Sequence, residues 1–282
     1  MLVDPDWLAA RLGDPSVRVI DCSVGLVPQP VGASLVTSGR DAWREGHVPG
    51  AAYLHMTEDL SAPREGLPYN LPPAERMTAL LQGIGINQDT TVVLYGTGYP
   101  PAVTRAWWVL RASGVRDVRI LDGGWRRWVS EGHPVSTEAP VFSRGDFVAG
   151  TDHRLLADRE TVRQALGAAD VLLVNALSPQ QFQGTGGAHY GRPGRIPGSV
   201  NLPSAELVDP ATRRYRTPEE LRKIFVELGA FDHGRVIAYC GGGIAASATV
   251  FALALLGHPD VALYDASLLE WSADETLPME AG

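Results

Sequence analysis

Short apolar runs separated by segments of helical period make up this chain, and the alternation recurs twice. In the first half, residues 4–13 combine an N-cap aspartate, apolar positions at helical spacing and a glycine stop, which predicts a helix. Val17-Arg-Val-Ile-Asp21 alternates as a short strand. Residues 22–40, rich in Gly, Pro and Ser, read as irregular, and residues 46–54 as a turn running into a strand. Residues 72–81 predict a helix, 91–95 a strand, 102–113 a helix and 118–121 a strand that closes on Asp122-Gly-Gly-Trp125. Residues 136–150 lack periodicity and read as a linker.

Beyond the linker the order repeats. Residues 159–166 are helical, and Val171-Leu-Leu-Val174 is a strand ending at Asn175, as the earlier one ends at Asp21. Gly194-Arg-Ile-Pro-Gly-Ser199 answers Gly46-His-Val-Pro-Gly-Ala51, and Val236-Ile-Ala-Tyr239 answers Val92-Val-Leu-Tyr95. Leu263-Tyr-Asp265 with Glu270-Trp271 answers Ile120-Leu-Asp122 with its tryptophans. The separations are 154 (Asp21 and Asn175), 148 (Gly50 and Gly198), 144 (Tyr95 and Tyr239) and 143 residues (Asp122 and Asp265). Four ordered matches at one slowly drifting spacing predict a tandem duplication of an α/β unit, each copy a mostly parallel sheet with helices on both faces. The division expected is 1–135, a linker at 136–150, and 151–282.

Composition narrows the function classes. The net charge of −8 argues against nucleic acid or an anionic membrane as partner, so any site for an anion must be locally positive. Two cysteines, Cys22 and Cys240, are too few for a disulfide framework, and no Cys/His spacing suggests a metal. Without a leader-like N-terminus or a long apolar run, a soluble cytoplasmic protein is expected.

The chemistry points to Cys240. It ends the strand Val236-Ile-Ala-Tyr239 and is followed by three glycines and an Ala/Leu-rich helix. Ligands bind beyond the carboxyl ends of parallel strands, and loop amides with a helix N-terminus favour a thiolate there. The plain alternative is a small buried residue closing a strand. The repeat separates the two: Tyr95 is followed by Gly96-Thr-Gly-Tyr99 with no nucleophile, which predicts one active copy and one inert copy.

On the paired Pro-Gly turns, Asp122-Gly-Gly-Trp125, Tyr264-Asp-Ala-Ser267 with Glu270-Trp271, and Tyr239-Cys-Gly-Gly-Gly-Ile-Ala-Ala246, the chain resembles tandem-domain sulfurtransferases of the rhodanese superfamily, of the thiosulfate and 3-mercaptopyruvate type. The resemblance implies that Cys240 takes a sulfane sulfur from a small-molecule donor, holds it as a persulfide and passes it to a thiophilic acceptor such as cyanide or a thiol, with no cofactor. It also implies that Gly241, Gly242, Gly243, Ile244 and Ala245 form a main-chain cradle.

The loop departs from both family patterns. Thiosulfate-preferring members resemble Cys-Arg-Lys-Gly-Val-Thr, with cations absent here. Mercaptopyruvate-preferring members resemble Cys-Gly-Ser-Gly-Val-Thr, and here Gly242 and Ala245 replace the hydroxyl residues. Ser247 is expected to face the helix interior or cap it. One family arginine falls at Gln181; Arg192 and Arg195 are the remaining candidates for a substrate anion, or else solvated loop charges. His47, with Asp41, matches a pair thought to assist across the domain interface, although a turn histidine also serves backbone hydrogen bonds. Cys22 and the tryptophans 107, 108, 125, 128 and 271 read as structural. Two further readings stand beside sulfur transfer: a non-enzymatic persulfide carrier, and a Cdc25-like cysteine phosphatase, which needs an arginine where Ala246 stands.

Overall fold

The computed structural model describes residues 1–64 and 66–282. Its first half contains β1 (Leu2–Val3), α1 (Pro5–Ala9), β2 (Val17–Asp21), β3 (Val24–Val27), β4 (Leu35–Ser38), α2 (Arg40–Glu45) and β5 (Ala52–Tyr53). There follow α3 (Ala74–Gly83), β6 (Thr91–Tyr95), α4 (Pro100–Ala112), β7 (Asp117–Leu121) and α5 (Gly124–Ser130). The second half contains β8 (Leu156–Ala157), α6 (Arg159–Ala165), β9 (Val171–Asn175), α7 (Pro179–Gln183) and β10 (Val200–Asn201). It ends with α8 (Pro218–Glu227), β11 (Arg235–Tyr239), α9 (Ala246–Leu255), β12 (Val261–Tyr264) and α10 (Ser267–Trp271).

The duplication is visible strand by strand. The first sheet runs β1-β7-β6-β2-β5 and the second β8-β12-β11-β9-β10, and every pairing in both is parallel. The registers correspond too: Asp21 lies opposite Tyr95, and Asn175 opposite Tyr239. The central strands β6 and β11 are continuous apolar runs because helices cover both faces of each sheet.

Local chemistry sets several boundaries. The Asp4 carboxylate accepts from the Trp7 amide, with Pro5 in the first turn of α1. Thr217 and Glu220 form a reciprocal capping box at α8, as Ser178 and Gln181 do at α7. The helix expected over 4–13 ends at Ala9, and the region 22–40 is not wholly irregular. There β3 and β4 pair as an antiparallel ribbon with Val24 opposite Ser38. Pattern reading misses this ribbon because its residues are mostly exposed and carry no apolar alternation. Residues 136–150 carry no regular element yet pack on the first half: Phe147 is buried, its amide donates to the Ile86 carbonyl, and Ser136 pairs with His47.

The two halves share one apolar core. It runs from Ile20 and Leu94 through α4 and α9 to Leu173 and Leu263. Helix α9 is buried from Ala246 to Leu253, since one side rests on its sheet and the other on α4. Trp107 meets Phe251 edge-on at 5.1 Å, and Thr104 Oγ1 meets Ser247 Oγ at 2.8 Å across that seam. Trp107, Trp108, Trp128 and Trp271 are buried, and Trp125 packs partly buried against the cluster that holds Trp128.

Candidate active site

Cys240 stands where β11 gives way to α9, at the carboxyl end of the central strand. Its amide donates to Ser267 Oγ at 3.1 Å, and Ser267 Oγ donates in turn to the Tyr264 carbonyl. The Cys240 and Gly241 carbonyls accept from the Leu268 and Leu269 amides, so α10 holds the start of the loop from one side. Among the described residues, the amides of Gly241, Gly242, Gly243, Ile244 and Ala245 donate to no backbone or side-chain acceptor. Five adjacent unpaired donors at a helix start form a nest suited to an anion on the cysteine sulfur.

Each glycine of the loop has a reason. A Cβ on Gly241 would clash with the Tyr190 ring carbons, and one on Gly242 would come within 2.9 Å of Leu269 and 3.1 Å of Tyr69. Gly243 adopts φ +81°, a left-handed conformation that glycine takes without strain, beside the Asp265 carbonyl. The space next to Gly241 and Gly242 is filled by the Tyr190 and Tyr69 rings and by Leu269.

The loop opens on a cavity of about 780 Å³ lined by Cys240, Gly241, Gly242, Ile244 and Ala245, with Tyr69, Tyr99, Tyr190, Leu26, Ser204, Gln181 and Arg213 among the remaining walls. Both halves contribute, because β3 and the Gly98-Tyr99 turn come from the first. Burial, and behind it the charge of Cys240, pushes the Tyr69 and Tyr190 phenols up to about 12. Burial also raises Tyr99, whose hydroxyl lies 3.2 Å from Ser204 Oγ. All three rings therefore stay neutral around the sulfur.

Beneath the loop lies Arg105 of α4, fully buried. Its Nη1 reaches Asp265 Oδ1 at 2.5 Å and the Gly243 carbonyl at 3.4 Å, its Nη2 donates to the Tyr69 carbonyl, and its plane stacks on Trp108. The first half thus braces the nucleophile loop of the second. Sequence reading missed Arg105, as it missed Tyr69, Tyr99, Tyr190 and Arg213. No motif marks them, because each reaches the site from another segment of chain.

Four expected site residues lie elsewhere. The Arg192 guanidinium is occupied by the carbonyls of Ser272 (3.0 Å), Leu277 (2.9 Å), Asp274 (2.7 Å) and Trp271 (3.4 Å), and does not face the sulfur. Arg195 donates to the Gly282 carbonyl at 2.8 Å, pairs with Glu280 and stacks on Phe182. Both arginines, candidates for a substrate anion or else loop charges, staple the C-terminal segment instead and do not line the cavity. His47 is buried between the carbonyls of Trp43 (2.7 Å) and Glu138 (3.1 Å), and Asp41 is exposed and paired with Arg44. Neither lines the cavity, and His47 serves backbone hydrogen bonds, the alternative expected of a turn histidine. Gly243 contributes its carbonyl to Arg105 and stands behind the lining.

Ser247 donates to the Ile244 carbonyl at 2.6 Å inside the helix seam, as expected of a helix-facing hydroxyl. Cys22 is buried, and desolvation, then Asp21 and Asp59, pushes its thiol well above the usual range. Ala246 is buried with no guanidinium in its place, so the loop lacks the arginine a phosphatase needs.

The rhodanese-like domain model matches residues 4–131 and again residues 158–274. A probable 3-mercaptopyruvate sulfurtransferase of Pseudomonas aeruginosa is 34% identical over 289 residues, spanning 100% of this chain and 98% of that protein. A thiosulfate sulfurtransferase of Gallus gallus is 33% identical over 282 residues, spanning 96% and 92% respectively. The crystal structure of the 3-mercaptopyruvate sulfurtransferase SseA from Escherichia coli superposes with a TM-score of 0.82 at 30% identity, covering 94% of this chain and 98% of that one. The chain belongs to the rhodanese family, as a member with two tandem rhodanese-like domains.

Proposed function

We propose that the chain is a sulfurtransferase in which Cys240 carries the sulfur. The observation that supports this best is the row of unpaired amides from Gly241 to Ala245 beside a cysteine that opens on a cavity. In the first half-reaction the Cys240 thiolate attacks the outer sulfur of a donor. With thiosulfate the S–S bond breaks and sulfite leaves. With 3-mercaptopyruvate the C–S bond breaks, and the carbon takes a proton as pyruvate leaves. The cysteine persulfide left behind is an anion held by the loop amides. In the second half-reaction cyanide or a thiol attacks the outer sulfur, and the thiolate is released. No net electrons pass to the protein in the cycle.

The catalytic unit is residues 151–282, and residues 1–135 with the 136–150 connection supply Tyr69, Tyr99 and Arg105 to it. The glycine at the second loop position sets the site nearer the mercaptopyruvate pattern, with tyrosine rings in place of the cations that greet thiosulfate.

The test is intact-mass spectrometry after incubation with each donor. One added sulfur atom, lost on cyanide treatment, is expected; no adduct with either donor overturns the reading. Cys240→Ser is expected to abolish both adduct and transfer, while Cys22→Ser retains transfer within about twofold, because the buried Cys22 thiol stays protonated. An adduct that forms but is not passed to cyanide or thiols would identify a persulfide carrier instead.

A further inference from the structure

Either donor arrives as an anion, yet the receiving loop carries no cation and the chain is net negative. Arg192 and Arg195 are occupied elsewhere. Apart from Cys240 and the neutral tyrosines, Arg213 is the ionisable side chain among the described residues that line the cavity. We propose that Arg213 captures the anionic donor and determines the preference of the site for negatively charged reagents. This rests on the reading of Cys240 as the sulfur-accepting nucleophile.

The turn carrying Arg213 is built and clamped. The Asp209 carboxylate accepts from the Ala211 amide at 3.0 Å, the Thr212 amide at 2.7 Å and the Thr212 hydroxyl at 2.9 Å. The Arg213 amide donates to the Asp209 carbonyl at 2.8 Å. The first half then grips both flanks of the turn. Asp122 accepts from Arg214 Nε at 2.7 Å and from the Tyr215 amide at 3.1 Å, and Arg126 reaches the Ala211 carbonyl at 3.3 Å. Arg214 and Arg216 are thereby occupied, the latter by the Glu206 carbonyl, while the Arg213 guanidinium has no hydrogen-bond or ion-pair partner among the described residues.

Backbone strain marks the same place. Arg213 has φ +62°, and Ser267 has φ +53°; they are the non-glycine residues with positive φ among those described. Ser267 accepts the Cys240 amide, so both strained residues border this site. A side-chain residue held left-handed persists where its surroundings impose it, and such residues concentrate at functional sites. Arg213 also borders a smaller cavity of about 240 Å³ beside Gly96 and Gly98. It therefore stands between the inert loop and the active one, on the walls of both cavities. A single guanidinium in a cleft raises the local concentration of anions and their rate of arrival.

The experiment compares alkylation of Cys240 by iodoacetate, an anion, and iodoacetamide, its neutral counterpart, in a Cys22→Ser background. Arg213→Gln is expected to lower the iodoacetate-to-iodoacetamide rate ratio by about fivefold, with the iodoacetamide rate unchanged. Arg213→Lys should restore most of the ratio, and Arg154→Gln, a remote exposed change, should leave it as in the parent. In steady-state transfer, Arg213→Gln should raise KM for the donor several-fold with kcat nearly constant. An unchanged alkylation ratio in Arg213→Gln overturns the proposal, whatever the transfer assay gives. A ratio that depends on Arg213 in a protein forming no persulfide would sustain the anion site and overturn only the sulfur-transfer reading.

Discussion

At the scale of single residues, the bareness of the Cys240 loop is a packing consequence. Tyr190 and Tyr69 lie against Gly241 and Gly242, so a longer side chain at either position must displace an aromatic ring. Gly241→Ala is expected to destabilise the protein by about 2 kcal/mol through overpacking, read as a lower urea midpoint at unchanged slope. Tyr190→Ala in the same chain should recover part of that loss, so the double-mutant cycle shows coupling. Tyr190 also links stability to pH. Its phenol sits at about 12, raised from an ordinary 10.0, so its contribution is fully present below pH 10 and is lost as pH rises towards 12. Replacing Tyr190 with phenylalanine should flatten the alkaline fall in stability by on the order of 2 kcal/mol across that window; an unaltered profile would remove Tyr190 from the account. Cys240 was legible in the sequence because a nucleophile after a strand, with an inert copy for comparison, is a local signal. The tyrosines were not, since their meeting depends on three separate segments. Arg192 and Arg195 misled for a related reason: the carbonyls they bind lie about eighty residues further along, in a C-terminal segment whose position no local pattern reveals.

At the scale of elements, the seam between α4 and α9 joins stability to the site. The pattern predicts α4, the Ala/Leu-rich composition after the glycines predicts α9, and the continuous burial of α9 follows from its lack of a polar face. What the pattern hides is Arg105, a charge on the buried face of α4. It is tolerated because Asp265, two carbonyls and the Trp108 face receive it, although its Nε finds no partner. Arg105→Ala would leave the Asp265 carboxylate with the Leu71 amide as its remaining partner from the first half. The expected loss is about 3–5 kcal/mol in equilibrium unfolding, as for a buried pair broken on one side. Arg105→Lys should recover less than half, because one ammonium cannot span the Gly243 and Tyr69 carbonyls as a guanidinium fork does. Full recovery by lysine would mean that charge alone, and not the fork, braces the loop. The β3–β4 ribbon was illegible for the opposite reason. It is a two-stranded, exposed element whose pairing is decided by what it covers, a wall of the cavity.

At the scale of the whole molecule, the duplication produces a reciprocal clamp. Asp122 of the first copy holds Arg214 and the Tyr215 amide of the second, and Asp265 of the second holds Arg105 and the Leu71 amide of the first. The two aspartates occupy matching places after β7 and β12, and Leu71 and Tyr215 are themselves separated by nearly the same interval. The sequence showed the repeat but not this exchange, because a period reveals which residues correspond and not which copy they touch. With one shared core and two crossed clamps, the halves should unfold together: a single calorimetric transition with equal calorimetric and van't Hoff enthalpies is expected, and two resolved transitions would contradict it. The crossed clamps also explain how a copy without a nucleophile still shapes catalysis. Asp122→Ala leaves every atom of the Cys240 loop in place but frees the turn at 209–215. It should therefore lower the iodoacetate-to-iodoacetamide ratio as Arg213→Gln does, by about fivefold, and the double variant should be no worse than either alone. Additive losses would mean that Asp122 acts on the site by a route other than the placement of Arg213.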